Sequence, residues 1–178
     1  MPPTNARGIA PVAGEYAAPY AGYVARVPAG DIVSTLRSQL PATASLLRSI
    51  EPARSVSGYA PGKWSIRDIV LHIADIERVM AYRALRIARG DITPLPGFDE
   101  NADTPMGGAG ARPMESLIGE LETLRASTVA LLDGLPADAW DRRGMASGMA
   151  VSVRGLAWII AGHERHHVAI IRERYLVG

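Results

Sequence analysis

Apolar residues recur at alternating steps of three and four in four stretches of the chain, which predicts one buried face on each of four α-helices. The first helix is predicted to begin after Asp31, whose side chain suits an N-cap. Its buried stripe is Val33, Leu36, Leu40, Thr43, Leu47 and Ile50. The second is predicted to begin after Ser65, with Asp68 placed as in a capping box, and to end near Gly90. Its stripe is Ile66, Ile69, Ile73, Ile76, Met80 and Ile87.

The third and fourth helices follow the same spacing. The third is predicted to begin near Pro113, because proline is tolerated in the first turn of a helix. Its stripe is Leu117, Leu121, Leu124, Thr128, Leu131 and Leu135. The fourth is predicted from about Ser152 to Tyr175. Its core-facing line is Leu156, Ile160, His163, His167, Ile170 and Arg174. No strand pattern competes with these helices, so the sequence predicts an all-α fold, most simply a four-helix bundle.

Two segments outside the helices set the domain organisation. Residues 90–113 are dense in proline and glycine, so we expect no regular structure there. This connection is longer than an ordinary helix connection and predicts a crossover, with the second and third helices parallel. Residues 1–30 hold five prolines and three tyrosines and predict an extended N-terminal arm packed on a bundle domain of residues 31–178. The tyrosines expected to dock are Tyr16, Tyr20 and Tyr23.

Composition narrows the classes of function. The chain has 19 Lys plus Arg and 18 Asp plus Glu, a balance that gives no electrostatic reason to expect nucleic acid or a membrane as partner. It has no cysteine, which excludes disulfides, thiolate metal sites and a cysteine nucleophile. Its N-terminus lacks the basic and apolar regions of a signal peptide, and no apolar run reaches about 18 residues. We therefore expect a cytoplasmic protein.

Three of the four histidines lie between Gly162 and Val168. His163 and His167 are four residues apart on the core-facing line, a spacing that metal sites on helices use. The remaining histidine, His72, lies at the edge of the apolar face of the second helix. Three imidazoles suit a zinc or nickel ion and leave a position for water. The alternative interpretation is that these histidines are packed in the core or lie on the surface. His166 is about 60° around the helix from His163, which places it on the flank of the core-facing line.

Three charged residues of the second helix are further candidates for the site. Glu77 lies within the apolar arc, where we expect it to pair with an arginine rather than to act as a general base. Asp75 shares a face with His72 and could orient its imidazole or be solvated. Arg83 lies at nearly the same angle around the helix as His72, about three turns further along it. We favour a surface ion pair for Arg83 over a position in the lining of an opening. Glu77 and Arg83 are the two candidate catalytic residues.

Residues 60–100, APGKWSIRDIVLHIADIERVMAYRALRIARGDITPLPGFDE, and residues 151–176, VSVRGLAWIIAGHERHHVAIIRERYL, strongly resemble the DinB-like superfamily, which includes the YfiT-type metalloenzymes. The resemblance extends to residues 14–32 and so covers almost the whole chain. It implies a four-helix bundle of up-down-down-up topology, often a homodimer, with a three-histidine site for nickel, zinc or a similar ion. His72 matches the family's histidine on the second helix, while His163 and His167 match the H-x-x-x-H pair on the fourth.

What the resemblance implies about activity falls into two classes. Characterised members divide between metal-dependent thiol transferases or isomerases and proteins regarded as hydrolases. The resemblance therefore implies an enzyme whose metal activates a small thiol for transfer to an electrophilic small molecule, or one that activates water for hydrolysis. A metal-binding stress-response module without catalysis is a third interpretation.

Overall fold

The N-terminal arm is held against the helices by a buried ion pair. The computed structural model describes residues 6–177, so Pro2 and Pro3 lie outside the described residues. The arm forms 3₁₀ turns at Ala6–Gly8 and Ala18–Tyr20 and one short helix, α1 (Ala21–Val24). Arg154 donates to the buried Glu15 carboxylate of the arm at 3.2 Å. Tyr16, Tyr20 and Tyr23 pack against the core, as the sequence predicts.

The first two long helices begin at the predicted caps. Helix α2 (Ile32–Arg48) starts after Asp31, whose carboxylate accepts from the Ser34 backbone N–H at 2.9 Å. Helix α3 (Ile66–Ala88) starts after Ser65, and Ser65 and Asp68 form the reciprocal bonds of a capping box. Every residue of the two predicted stripes is buried, which confirms both helices and their faces.

The connection from α3 to the next long helix contains regular structure, so the prediction that it has none is wrong. It includes helix α4 (Glu100–Asp103) and 3₁₀ turns at Thr104–Gly107 and Ala109–Ala111. Asp99 caps α4 by accepting from the backbone N–H groups of the following turn. One-turn helices of this kind need a cap but no apolar periodicity, so they leave no repeating pattern in the sequence.

A two-stranded hairpin adds to the predicted all-helical fold. After helix α5 (Met114–Asp133) and a 3₁₀ turn at Ala137–Asp141, strands β1 (Arg143–Ala146) and β2 (Met149–Ser152) pair antiparallel. Strands of four residues are too short to give a clear alternation in the sequence. The hairpin is also tied to the crossover connection, because the Leu95 N–H donates to the Met145 carbonyl at 2.9 Å.

The last helix changes its pitch near its end. Helix α6 (Val153–Ile170) continues into a π-helical turn at Ile171–Tyr175, whose wider i to i+5 bonding turns the following side chains around the axis. Ile171 and Tyr175 are therefore buried, whereas Arg174 is exposed. The predicted place of Arg174 on the core-facing line is wrong for this reason.

Contacts between the four long helices set the topology. Arg48, at the end of α2, pairs with Glu115 in the first turn of α5, so these helices are antiparallel. The crossover returns along α3, and Thr104 reaches His72 near the beginning of that helix, so α3 and α5 are parallel. His163, in the second half of α6, meets His72 as well, so α6 is antiparallel to α3. The result is the expected up-down-down-up bundle.

This bundle also differs from a simple up-down-up-down bundle in which helices lie next to each other. Helix α2 contacts α5 and α6, and α3 contacts the same two helices. Helices α2 and α3 therefore lie on one diagonal of the bundle and α5 and α6 on the other, while α3 lies beside both α5 and α6. Among the described residues, no helix combines the length and the apolar character that crossing a lipid bilayer requires.

Candidate metal centre

Three imidazoles from two helices meet inside the bundle. His72 comes from the second turn of α3, and His163 and His167 lie one turn apart on α6. One nitrogen of each ring lies within 4.8 Å of the corresponding nitrogens of the other two. The Nε2 atoms of His72 and His163 are 3.0 Å apart. All three residues are at least nine-tenths buried, so the cluster is enclosed by protein.

Burial keeps these imidazoles neutral near pH 7. Removal from water lowers the pKa of His72 to about 4, with a smaller contribution from His166. Burial likewise lowers the pKa of His167 to about 3, reinforced by His72 and His166. The pKa of His163 falls well below its ordinary value, again mainly through burial and then through the neighbouring histidines. Neutral imidazoles are the form that binds metal ions.

The donor set fits a divalent ion. Two nitrogen ligands bound at about 2.0–2.1 Å in a tetrahedral site lie roughly 3.3 Å apart, close to the observed separation of the two Nε2 atoms. The Nδ1 atom of His167 is buried and has no hydrogen-bond partner within residues 6–177. A buried nitrogen without a hydrogen-bond partner is rare in folded proteins, and this one belongs to an imidazole that lies beside two others. Three neutral nitrogen donors leave at least one coordination position for a ligand from outside the chain.

Residues around the cluster fix the ring orientations. The Oγ1 atom of Thr104, on the crossover connection, lies 3.4 Å from the Nδ1 atom of His72. The Trp64 ring packs beside His72 with centroids 4.9 Å apart, and Tyr23 of α1 packs edge-on against His163 at 5.3 Å. Sequence analysis missed Thr104 and these aromatic contacts, because the residues lie on segments without periodicity.

Two neighbouring candidates do not face the cluster with a ligand atom. Asp75 pairs with Arg78 at 3.0 Å. It therefore does not orient the His72 imidazole, which was one of the two roles expected for it. His166 is half-buried and packs against Tyr23, with ring centroids 5.1 Å apart. It lies on the flank of the helix, as the angular argument predicts.

Glu77 belongs to a buried charge network, as predicted, and not to the histidine cluster. Arg125 of α5 donates to both oxygens of Glu77, at 2.9 and 2.8 Å. It also donates to Glu164 of α6 at 2.7 Å and to the Leu36 carbonyl at 3.0 Å. Burial acts to lower the pKa of Arg125, but the two carboxylates outweigh it and raise that pKa above its ordinary value. This network ties together all four long helices.

Sequence analysis missed Arg125 and Glu164 as members of this network. A signal for Arg125 existed, because Leu121, Arg125, Thr128 and Leu132 follow one another at steps of four, three and four and are all buried. The stripe predicted through Leu124 and Leu131 runs along the edge of that face, where both residues are only partly buried.

Arg83 is buried, so the expected surface ion pair is wrong. Only 4% of Arg83 is exposed. Its Nη2 atom donates to the Pro96 carbonyl at 2.8 Å and to the Ser147 Oγ atom at 2.9 Å. These contacts bring together α3, the crossover connection and the hairpin tip. Arg83 therefore takes the less favoured of its two predicted places, in the wall of an opening.

Two separate cavities each include one histidine of the cluster in their walls. The first, of about 640 Å³, includes His163 and Arg83 in its wall and is called the His163 cavity. Its apolar wall includes Tyr20, Tyr23, Met80, Phe98, Met149 and Ile159. The second, of about 300 Å³, includes His167, Lys63, Trp64 and Tyr175 and is called the His167 cavity. Asn101 of α4 lies in the wall of both.

Comparison with known proteins identifies relatives that cover most of the chain. The sequence model of the DinB superfamily matches residues 35–171. A protein of Oceanobacillus iheyensis named "putative metal-dependent hydrolase" is 30% identical over an alignment 151 residues long, which covers 79% of this chain and 79% of that protein.

Two solved structures share the fold. YfiT from Bacillus subtilis, described as a probable metal-dependent hydrolase with an unusual four-helix bundle topology, matches with a TM-score of 0.69 and 20% identity over 80% of this chain and 82% of its own. A mycothiol-dependent maleylpyruvate isomerase matches with a TM-score of 0.66 and 16% identity, over 82% of this chain and 61% of that enzyme.

Proposed function

This chain belongs to the DinB superfamily, and from that premise we propose that it is a metal-dependent enzyme that activates a small thiol for transfer to an electrophilic small molecule. His72, His163 and His167 would hold one divalent ion, with nickel or zinc the best suited to three imidazoles. The observation that carries the proposal is that His163 and His167 each lie in the wall of a different cavity. Two reactants can thus approach one centre through separate cavities.

A divalent ion in this position would lower the pKa of a thiol or water that binds beside it and so supply a nucleophile near neutral pH. The chain contributes three neutral donors that are already buried and positioned, so little reorganisation accompanies binding. Thr104 orients His72, while Trp64 and Tyr23 cover the cluster and limit the access of water. The reaction would pass the thiol proton to solvent, form a bond from sulfur to the electrophilic carbon and break the bond from that carbon to its leaving group, which departs as an anion such as chloride.

Hydrolysis is the second candidate function, and the names of the relatives favour it. Both the Oceanobacillus protein and YfiT are described as metal-dependent hydrolases. Thiol chemistry is favoured by the paired cavities and has a precedent on this fold in the mycothiol-dependent isomerase. The remaining alternative, a metal-binding module without catalysis, is disfavoured by the two openings, because a structural metal site is normally closed.

Paired assays on the metal-loaded protein separate these functions. In the first, L-cysteine and 1-chloro-2,4-dinitrobenzene are supplied, and the arylated thiol and released chloride are measured. In the second, 4-nitrophenyl acetate is supplied without thiol. We expect turnover in the first assay, lost in His163→Ala and retained in His166→Ala. Turnover confined to the second assay would favour the hydrolase, and no turnover in either across a panel of electrophiles and esters would favour the module.

Four further expectations, on compartment, partners, assembly and domain organisation, belong to the same proposal. We propose that the protein acts in the cytoplasm on small molecules, without nucleic acid or membrane partners, and that it forms a homodimer as the family resemblance implies. We also propose residues 1–30 as an arm on a bundle domain of residues 31–178. Light scattering of the purified protein measures its assembly state, and circular dichroism of the protein with and without the arm measures the dependence of the bundle on the arm.

A further inference from the structure

The hydrogen-bond partners of the buried Arg83 guanidinium in the described part of the chain are all neutral. Within residues 6–177, its contacts are the Pro96 carbonyl, the Ser147 hydroxyl and the Met80 sulfur, which lies 3.6 Å from Nη1. A buried positive charge normally requires an anion nearby, because burial removes the solvation that water provides. Arg125 satisfies that requirement with two glutamates. Arg83 instead lies in the wall of the His163 cavity, so an anion can reach it from there.

Ser147 adds a second polar group at the same end of the cavity. Its backbone lies in the left-handed region, at φ 53°, which is costly for a residue other than glycine. This conformation forms the hairpin turn with Gly148 and is braced by a bond from the Ser147 N–H to the Leu95 carbonyl. Because the Ser147 oxygen accepts a bond from Arg83, its own proton is available to a ligand. Guanidinium and hydroxyl together offer donors to an anion.

The distance between Arg83 and the histidine cluster limits the shape of a ligand. Both Arg83 and His72 lie on α3, on nearly the same face and about three turns, or roughly 16 Å, apart along the axis. The long Arg83 side chain shortens this separation, and His163 lies in the wall of the same cavity. The wall between them is largely apolar and aromatic, including Tyr20, Met80 and Phe98. A ligand that spans the cavity therefore has an anionic end and an apolar body.

We propose that the His163 cavity binds a substrate that carries a carboxylate, with Arg83 and Ser147 holding the carboxylate and the apolar body directed towards His163. The proposal rests on the proposed function, because it identifies the substrate class for that centre. It assigns Arg83 as a residue that determines specificity. Arginine is suited to this role because its planar donors match the two oxygens of a carboxylate.

Charges elsewhere in the cavity favour a monoanion. Asp99 and Glu100 also lie in its wall, at the exposed rim formed by α4. A second negative charge on the ligand would be repelled by these carboxylates, whereas a single carboxylate is balanced by Arg83. A carboxylate is therefore preferred over a phosphate or phosphonate dianion.

Isothermal titration calorimetry tests this assignment on the metal-loaded protein. The probes are 4-phenylbutyrate, its neutral amide 4-phenylbutanamide, and 3-phenylpropylphosphonate, all titrated at a pH above the second pKa of the phosphonate so that it is a dianion. We expect the carboxylate to bind at least about tenfold more tightly than the amide, which is the effect of one charge-assisted bond. Arg83→Gln removes this preference. Arg89→Gln, the same substitution at an exposed residue that does not line the cavity, preserves it.

Ser147→Gly provides a second variant that does not depend on how Arg83→Gln folds. Glycine adopts the left-handed backbone without strain, so the hairpin turn is retained while the hydroxyl is lost. We expect the carboxylate to bind about three- to tenfold more weakly in this variant, with amide binding unchanged. Equal binding of the carboxylate and amide to the wild-type protein, or tighter binding of the phosphonate, would overturn the proposal.

Repeating the titrations on the metal-free protein separates this inference from the proposed function. A carboxylate preference that depends on Arg83 and persists without metal supports the assignment, whatever metal analysis shows. If the carboxylate preference is absent from the metal-free protein but present in metal-loaded Arg83→Gln, the carboxylate binds the metal. That result would overturn the role of Arg83.

Discussion

The Nε2 atom of His72 lies 3.0 Å from the Nε2 atom of His163, although 91 residues separate the two along the chain. The pair spans two antiparallel helices that pack side by side. Each imidazole is held by its own contacts, His72 by Thr104 and Trp64 and His163 by Tyr23. The centre therefore depends on the packing of α3 against α6 as well as on the histidines.

We predict that His163→Ala abolishes stoichiometric binding of a divalent metal, because two imidazoles remain where three would bind. His166→Ala is the matched control, since His166 lies one turn along the same helix but outside the cluster of ligand atoms. Elemental analysis after loading with nickel or zinc measures the metal content, and circular dichroism checks that both variants are folded. Full metal content in His163→Ala would remove the assignment of the centre.

The stability of the metal-free protein should fall as the pH decreases from about 6.5. The pKa of His72 is lowered to about 4 and that of His167 to about 3 by burial, so between these values and 6.5 the unfolded chain binds protons that the folded chain does not. The unfolding free energy then decreases by about 1.4 kcal/mol per pH unit for each such imidazole.

Urea unfolding with a chelator present, from pH 7 to pH 4, measures this dependence. His72→Gln provides the comparison, since removing one titrating imidazole should reduce the slope by roughly 1.4 kcal/mol per pH unit between pH 6 and pH 4.5. Identical slopes for the variant and the wild type would contradict the lowered pKa of His72.

Replacing Arg125 by methionine should destabilise the fold strongly. The substitution leaves the carboxylates of Glu77 and Glu164 buried without their shared partner, at an expected cost of about 3–5 kcal/mol in unfolding free energy. Arg48→Met is the control, because Arg48 also pairs with two glutamates, Glu115 and Glu122, but at the surface. Exposed pairs contribute little, so this variant should stay close to the wild type. Chemical denaturation measures the unfolding free energy of both variants. Equal losses in the two would refute the argument that the buried pairs stabilise the fold more than the exposed ones.

Gly162→Ala should loosen the N-terminal arm over the site. A Cβ atom at Gly162 would overlap the Tyr23 carbonyl oxygen, so α1 must move away from α6. We expect a loss of about 1–3 kcal/mol in unfolding free energy and faster hydrogen exchange around Tyr23. Gly119→Ala, on α5, has open space around the new methyl group and should stabilise the protein by roughly 0.5–1 kcal/mol. Protected exchange around Tyr23 in Gly162→Ala would show that this contact does not hold the arm.

Local patterns were sufficient to predict the four long helices and the candidate ligands. The caps at Asp31 and Ser65 and the stripes of α2 and α3 depend on bonds and spacings within a few residues, so they can be recognised in the sequence. The same spacing places His163 and His167 on one face of α6. The pairing of Glu77 with an arginine also followed from its place in an apolar arc, although the sequence did not identify which arginine.

Packing between distant segments determined the remaining features. The 3.0 Å approach of His72 to His163, the contact of Thr104 with His72, and the joint binding of Glu77 and Glu164 by Arg125 each join residues far apart in the chain. The burial of Arg83 under the hairpin tip and the shift in register at the π-helical turn are of the same kind. Periodicity reports which face of an element avoids water, but it carries no information about which other face covers it. That pairing is set by how the four helices and their connections fill space together.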